Sequence, residues 1–150
     1  MSWVGKVFNG KIIRSLFRLK EQAPSSKHPS KPGLVLSESE LSAFDAAVDQ
    51  WVRTKGFRLA DRALADTAAR MGLTWPQLYA WCQQRKGMDF RAWRIVLRIE
   101  DAKVLLLEEP DASAANIARK VGYNDRSNFT RNFQQITGVT PVQWREQHLT

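Results

Sequence analysis

Cysteine and histidine are scarce in this chain of 150 residues, which contains one Cys and two His. A single thiol cannot form an intramolecular disulfide, so small folds held together by disulfides are excluded. Cys82, His28 and His148 are widely separated along the chain, and a zinc site needs several converging ligands. We therefore expect neither a metal nor another cofactor.

Long apolar segments are lacking as well. No run approaches the roughly 18 residues that a membrane-spanning helix needs. The N-terminus also lacks the continuous apolar segment and small-residue cleavage site of a secretory signal. We expect a soluble, cytoplasmic protein.

Basic residues, in contrast, are in excess. The chain has 23 Lys and Arg against 15 Asp and Glu, a formal net charge of +8, which favours nucleic acid or an anionic membrane surface as a partner. Residues 1–33 hold seven basic residues and one acidic residue, whereas residues 34–150 hold sixteen and fourteen. Most of the excess lies in the N-terminal segment, so a DNA-reading face elsewhere must be a local basic patch.

The segment from Pro24 to Gly33 contains three prolines and three serines, which is typical of an extended linker. We therefore divide the chain into a basic N-terminal arm (1–23), a Pro/Ser-rich linker (24–37) and one domain (38–150).

Residues 1–20 of the arm allow two interpretations. Asn9-Gly10 between apolar residues is a β-hairpin signal, whereas the basic residues of 12–20 suit a helix that lies on a membrane or on another protein. The sequence leaves both open.

Helical periodicity begins after the linker. Ser37 and Glu40 match a capping box, and apolar residues then recur three and four positions apart at Leu41, Phe44, Val48, Trp51 and Val52. We predict helices at 38–54, 61–71, 75–86, 89–108, 114–121, 126–137 and 141–147. The later helices are separated by Gly72, Gly87, Pro110, Gly122 and Gly138. No segment alternates as a half-buried strand does, so the fold is predicted to be all-α with about seven helices.

Residues 68–94 resemble residues 118–145, and this internal repeat is the most informative feature of the sequence. Ala68 and Gly72 recur fifty residues later as Ala118 and Gly122. After one inserted residue, the correspondence continues with the pairs Leu78 and Phe129, Cys82 and Phe133, Gln83-Gln84 and Gln134-Gln135, Gly87 and Gly138, and Trp93-Arg94 and Trp144-Arg145.

Each copy has the pattern of a helix-turn-helix, because Ala lets two helices approach closely and Gly permits a tight turn between them. We predict two such units, at about 61–87 and 113–138, joined by a connecting helix at 89–108. That helix spans roughly 30 Å at about 1.5 Å per residue, close to the roughly 34 Å between adjacent major grooves on one face of B-DNA. Both second helices, 75–86 and 126–137, can therefore face one duplex.

The second unit carries the most specific motif of the chain. It reads Ile117-Ala118-Arg119-Lys120-Val121-Gly122-Tyr123-Asn124-Asp125-Arg126-Ser127-Asn128-Phe129-Thr130-Arg131-Asn132-Phe133, followed by Gly138-Val139-Thr140-Pro141 and Trp144-Arg145. The connecting helix adds Trp93, Arg98-Ile99, Ala102 and Leu105-Leu106. These residues resemble the DNA-binding domain of the AraC/XylS family of bacterial transcription regulators. The resemblance covers residues 38–147 and leaves the arm without a counterpart.

The resemblance implies a sequence-specific transcription regulator whose recognition helices, 75–86 and 126–137, enter adjacent major grooves of double-stranded promoter DNA. In the second helix, burial of Phe129 and Phe133 leaves a set of polar residues for DNA: Arg126, Ser127, Asn128, Thr130, Arg131 and Gln134. Arg can donate twice to guanine, Asn can pair with adenine, and Ser or Thr can bind phosphates. Arg131 corresponds to the conserved arginine of the family, and we expect it to contribute most.

The first unit departs from the family pattern. Thr67 replaces an aliphatic residue, Cys82 replaces a core aromatic, and Ala80 stands opposite Arg131 in the repeat, where a long polar side chain would reach a base. The remaining candidates for DNA contact are predicted to be exposed and are uncharged: Trp75, Gln77 and Tyr79. We therefore expect the second unit to supply most of the base readout. The first unit is expected to position the protein or to contribute weakly to base readout. The alternative is that it has become a protein contact, with RNA polymerase as the candidate partner.

Other classes of function have less support. An enzyme needs converging acid, base or nucleophilic groups, whereas Cys82 is predicted to face the core and Glu108-Glu109 to be a solvated pair, so no catalytic residue is assigned. A non-enzymatic interaction module, with the basic arm on a membrane or a protein, is the alternative. The sequence also fits the C-terminal part of a longer, membrane-bound sensor-regulator. No set of residues indicates a small-molecule effector site.

Overall fold

The computed structural model describes residues 33–60 and 63–149, and this part of the chain contains no β-strand. Its elements are α1 (Glu38–Arg53), the 3-10 turn η1 (Gly56–Arg58), α2 (Leu64–Arg70), α3 (Trp75–Lys86), α4 (Phe90–Glu108), α5 (Ala114–Lys120), α6 (Arg126–Thr137) and α7 (Pro141–His148). The predicted all-α fold with seven helices is confirmed. No described helix is long and apolar enough to cross a membrane. The arm and the linker up to residue 32, with both interpretations of residues 1–20, lie outside the described residues.

Side chains that cap the helix N-termini explain where most helices begin. The predicted capping box of α1 is confirmed, because Ser37 Oγ accepts from the Glu40 N–H at 3.2 Å and the Glu40 carboxylate accepts from the Ser37 N–H at 2.8 Å. The Ser37 backbone N–H, and after it the Ser37 side chain, lowers the pKa of the Glu40 carboxyl group. The same box recurs at α3 and α7 with the pairs Thr74 and Gln77, and Thr140 and Gln143.

The start of α2 differs from the prediction. We predicted a helix from residue 61, but α2 begins at Leu64, after Ala63 in an extended conformation with ψ of 139°. The alanine side chain has no acceptor for the free N–H groups of the first turn, so no sequence signal marked this boundary. Residues 61 and 62 lie outside the described part of the chain.

The connecting helix α4 passes through two apolar cores. The first core is formed by α1, α2, α3 and the first half of α4, and the second by the rest of α4 with α5, α6 and α7. Residues of α4 divide accordingly into Phe90, Trp93 and Leu97 on one side and Ile99, Ala102, Leu105 and Leu106 on the other. Arg98 marks the boundary. The two repeats therefore fold as two helix-turn-helix units, α2–α3 and α5–α6.

Glycine makes the turn of both units. Gly72 follows α2 with a φ of 74°, and Gly122 follows α5 with a φ of 108°. Residues with a Cβ rarely adopt this left-handed conformation. The glycines of the internal repeat are therefore explained by the backbone that each turn requires.

Candidate nucleic-acid interface

Aromatic side chains anchor α6, the second helix of the second unit. Phe129 and Phe133 are fully buried, with ring centres 5.4 Å from Tyr123 and 6.2 Å from Trp144, respectively. Asp125 caps the first turn by accepting a hydrogen bond of 2.8 Å from a backbone N–H two residues later. The helix is therefore held by one side, and its other side faces solvent.

The solvent side of α6 carries the residues predicted to bind DNA. Thr130 is half-buried, and the other five are exposed, namely Arg126, Ser127, Asn128, Arg131 and Gln134. The structure therefore brings the predicted residues together on one exposed helix. Their contact with DNA stays a prediction.

The positive charge of this face is not neutralised within the described part of the chain, where no ion pair involves Arg126 or Arg131. Arg131 Nη2 donates a hydrogen bond to the amide oxygen of Asn128, three residues earlier. This contact orients the guanidinium group and leaves the NH2 group of Asn128 as a donor. The exposed part of α6 thus presents the hydrogen-bonded pair of Arg131 and Asn128 and, at the start of the helix, a second cationic group at Arg126.

The first recognition helix, α3, is less accessible than we predicted. Trp75, Gln77 and Tyr79 are each half-buried instead of exposed. The indole of Trp75 packs edge-on against Phe90 of α4, with ring centres 6.1 Å apart. The ring centres of Trp75 and Tyr79 are 5.8 Å apart. The amide oxygen of Gln77 accepts a hydrogen bond of 2.9 Å from the Thr74 N–H. The predicted exposure was wrong because Phe90 of α4 packs against Trp75, the helix cap engages Gln77, and Tyr79 packs against Trp75.

Ala80, the counterpart of Arg131, is only 3% exposed and lies in the first core with Leu36. One turn later, Gln84 binds the backbone of Leu36 through both amide atoms: Oε1 accepts at 2.9 Å and Nε2 donates at 3.0 Å. The segment that leads into α1 therefore lies beside this side of α3. Our expectation that a long side chain at position 80 would reach a base was wrong, because the position faces the core.

Basic residues at the end of α3 are engaged within the first unit. Arg85 makes a two-bond ion pair with Asp45 of α1, with N···O distances of 3.1 and 3.0 Å. The Lys86 ammonium lies over the rings of Trp81 and Trp93, 5.6 and 5.5 Å from their centres, and burial lowers its pKa. The positive charge of α3 is thus directed toward its own core, unlike that of α6.

Cys82 is fully buried, as predicted from its position on α3. Burial raises the pKa of its thiol, so the side chain stays protonated at neutral pH and is a poor nucleophile. Within residues 33–60 and 63–149, no group of three potential metal-ligating side chains converges.

The sequence analysis missed a buried charged cluster on the connecting helix. Arg98 and Asp101 are only 3% and 5% exposed, and Asp101 pairs with Arg58 of η1. The available signal was a basic and an acidic residue three positions apart, enclosed by the apolar residues Leu97 and Ala102.

A profile of the helix-turn-helix domain family matches residues 67–147, which is more than half of the chain. The arabinose operon regulatory protein of Salmonella typhimurium strain LT2 is 31% identical over 113 residues, covering 74% of this chain and 40% of that protein. The transcriptional activator NphR of Rhodococcus sp is 33% identical over 89 residues, covering 59% of this chain and 26% of that protein. This chain therefore spans less than half the length of either regulator.

Solved structures show the same arrangement of helices. The C-terminal domain of AraT, a response regulator from Geobacillus stearothermophilus, superposes with a TM-score of 0.61 and 26% identity, covering 75% of this chain and 88% of that domain. A protein of unknown function from Listeria innocua superposes with a TM-score of 0.58 and 28% identity, covering 69% of this chain and 95% of that protein. The internal repeat, the fold and the profile match agree, and the chain belongs to the AraC/XylS family of helix-turn-helix proteins.

Proposed function

We propose that this chain is a sequence-specific DNA-binding regulator of transcription and not an enzyme. The observation that carries the proposal is the solvent-exposed part of α6, where Arg126, Asn128 and Arg131 are all exposed and where neither arginine has a carboxylate partner among the described residues. Two relatives are named as an operon regulatory protein and a transcriptional activator, which supports the same function.

Base recognition by α6 follows from the chemistry of its side chains. An arginine fork can donate two hydrogen bonds to guanine, and an asparagine amide can pair with adenine. We assign these roles to Arg131 and Asn128, whose mutual hydrogen bond holds the two groups next to each other. Arg126, Ser127, Thr130 and Gln134 flank them and supply phosphate or additional base contacts.

We assign a smaller share of base readout to α3. Its candidate residues, Trp75, Gln77 and Tyr79, are uncharged and half-buried. An indole or phenol at the surface can pack on a thymine methyl group or a sugar, but it adds no attraction for phosphate. The first unit therefore mainly positions the protein on the duplex.

A glutamine substitution tests this ranking. Gln77→Ala is expected to reduce discrimination at any one base pair by less than about 1 kcal/mol, below the range of a bidentate base contact. The amide oxygen of Gln77 is already used by the helix cap, so loss of the side chain also lowers the free energy of unfolding by roughly 0.5–1.5 kcal/mol. Titration of operator variants and urea unfolding measure the two effects.

Gln143→Ala provides the matched control. Gln143 has the same role in the cap of α7 but lies outside both recognition helices. The control is expected to lose comparable stability and to keep every base preference. If Gln77→Ala costs more base discrimination than Arg131→Ala, the ranking of the two units is wrong.

The proposed partners follow from this function. Double-stranded promoter DNA is the main partner, which places the action of the protein in the bacterial cytoplasm, and RNA polymerase is the protein that a DNA-bound regulator contacts to change transcription. For the basic arm, residues 1–20, we retain contact with a membrane or another protein as a separate hypothesis. The interaction-module alternative is not favoured, because it leaves the exposed cationic face of α6 without a role.

Selection of bound sequences from random duplex DNA at about physiological salt tests the proposed function. A bipartite site with half-elements about one helical turn apart is expected if both units read bases. A single half-element would mean that α6 reads alone. If no sequence is enriched while salt-dependent binding persists, contact is purely electrostatic and the proposed function is wrong.

A further inference from the structure

A buried charged cluster lies where α4 passes from the first core to the second. Asp101 accepts two hydrogen bonds from Arg58 of η1, with Nε–Oδ2 and Nη2–Oδ1 distances of 2.5 and 2.9 Å. Lys55 adds a third contact of 3.1 Å to the same carboxylate. These contacts tie the turn after α1 to the middle of the connecting helix, and the bond to Asp101 raises the pKa of Arg58.

Arg98, one turn earlier on α4, binds the backbone of the same segment. Its Nε donates to the carbonyl of Phe57 at 2.7 Å and its Nη2 to the carbonyl of Leu59 at 2.9 Å. Its guanidinium carbon lies 5.5 Å from the ring centre of Tyr123, which follows the turn of the second unit. One buried arginine therefore contacts both the segment after α1, which belongs to the first core, and the second helix-turn-helix unit.

The backbones of η1 and of the turn of the second unit also meet at this point. A Cβ built on Gly122 would lie 2.8 Å from the carbonyl oxygen of Arg58 and 2.9 Å from Arg98 Nε. Only a residue without a side chain permits this approach. The turn of the second unit therefore packs directly against the turn that follows α1.

We propose that this junction, formed by Lys55, Arg58, Arg98, Asp101 and Gly122, sets the orientation of α3 relative to α6 and thereby the half-element spacing that the protein accepts. The proposal deepens the proposed function and rests on it for the DNA spacing, but the orientation itself is a property of the protein alone.

The physical reason lies in the kind of contact that crosses the boundary. Apolar burial is non-directional, and the two cores divide between Leu97 and Ile99. A two-bond arginine–carboxylate pair, in contrast, has a defined plane and direction. Breaking a buried pair leaves an uncompensated charge, so the junction opposes small rotations of one core against the other in addition to the packing around α4.

Distance measurement between spin labels tests the orientation without DNA. Asp66→Cys on α2 and Arg119→Cys on α5 place labels at exposed positions in the two units, and Cys82 is fully buried, so it stays unlabelled. We expect a narrow distance distribution in the otherwise unchanged chain and a clearly broadened one when Asp101→Asn is added. An unchanged distribution would overturn the proposal.

Asp45→Asn is the matched control, since it removes the charge of one of the two carboxylates that pair with Arg85, on the α1–α3 side of the first core, and does not touch the junction. It is expected to leave the distribution narrow, and equal broadening in this control would overturn the proposal. If Asp101→Asn does not fold, Arg58→Lys keeps the charge and loses the fork geometry. Arg58→Lys is then expected to give a distance distribution that is broader than that of the otherwise unchanged chain, though less broad than complete loss of the ion pair would give.

Binding to a DNA series tests the consequence for spacing. One base pair inserted between the half-elements turns the second by about 34°, and the unmodified chain is expected to bind this DNA about tenfold more weakly than the optimal site. In Asp101→Asn the ratio of the affinity for the optimal site to the affinity for the DNA with the insertion should fall to about threefold. The affinity for the α6 half-element alone should be unchanged. If Asp101→Asn broadens the distance distribution but keeps the tenfold affinity ratio, the junction does not set the half-element spacing and that part of the proposal is wrong. Loss of all sequence preference in the unmodified chain would instead refute the proposed function.

Discussion

Arg131→Ala is expected to remove about 1–3 kcal/mol of discrimination at a single base pair of the operator, the range of one bidentate contact. The side chain is exposed on α6, is held by Asn128, and has no carboxylate partner among the described residues. Removal therefore disturbs no packing, and the loss reports on DNA contact alone. The measurement is competition binding with operator variants at each position of the α6 half-element, at fixed salt.

Two further arginine variants separate charge from base reading. Arg131→Lys keeps the positive charge but loses the planar fork, so it should retain the salt dependence and lose most of the discrimination. Arg119→Ala removes an exposed arginine of α5 outside the recognition helix and should leave discrimination intact. If Arg131→Ala weakens all sequences equally and reduces the salt slope by about one, Arg131 binds phosphate and its assignment to a base is wrong.

Trp93→Ala is expected to lower the free energy of unfolding by about 3–5 kcal/mol, as large aromatic truncations in cores do. Trp93 is 2% exposed and lies at the centre of an aromatic group, with ring centres 6.1 Å from Trp51, 5.5 Å from Trp81 and 6.2 Å from Phe90. These rings come from α1, α3 and α4, so the cavity would weaken the whole first unit. Urea unfolding followed by circular dichroism measures the loss.

Val104→Ala is the control on the same helix. Val104 is 43% exposed, and its truncation should change stability by no more than about 0.5 kcal/mol. A loss below about 1 kcal/mol for Trp93→Ala would contradict the described first core. A selective loss of binding to the first half-element, with α6 binding retained, would show that the two cores unfold separately.

Helix positions were predictable where local chemistry specifies them. Ser37, Thr74 and Thr140 each cap a helix through their own hydroxyl group, and Gly122 has the positive φ that its turn requires. Such signals act over three or four residues, so they can be read directly from the sequence. The start of α2 lacked a capping side chain and was placed too early.

Exposure on α6 was predictable, whereas exposure on α3 was not. The spacing of Phe129 and Phe133 defines one buried side of α6 and leaves the opposite side free, because α6 packs through that side only. On α3, Trp75 meets Phe90 of the next helix, and Ala80 lies in the core with Leu36, which precedes α1. Periodicity along one helix contains no information about which other elements cover it.

The sequence by itself determined the all-α fold, the two repeated units, the connecting helix and the polar face of α6. Each of these depends on local caps, turns and spacings, or on similarity between two segments of the same chain. Only the tertiary structure decided which side chains of α3 remain accessible and that Arg58, Arg98 and Asp101 form one buried junction. Those features depend on contacts between residues some forty positions apart, and long-range pairing is not encoded in any short pattern.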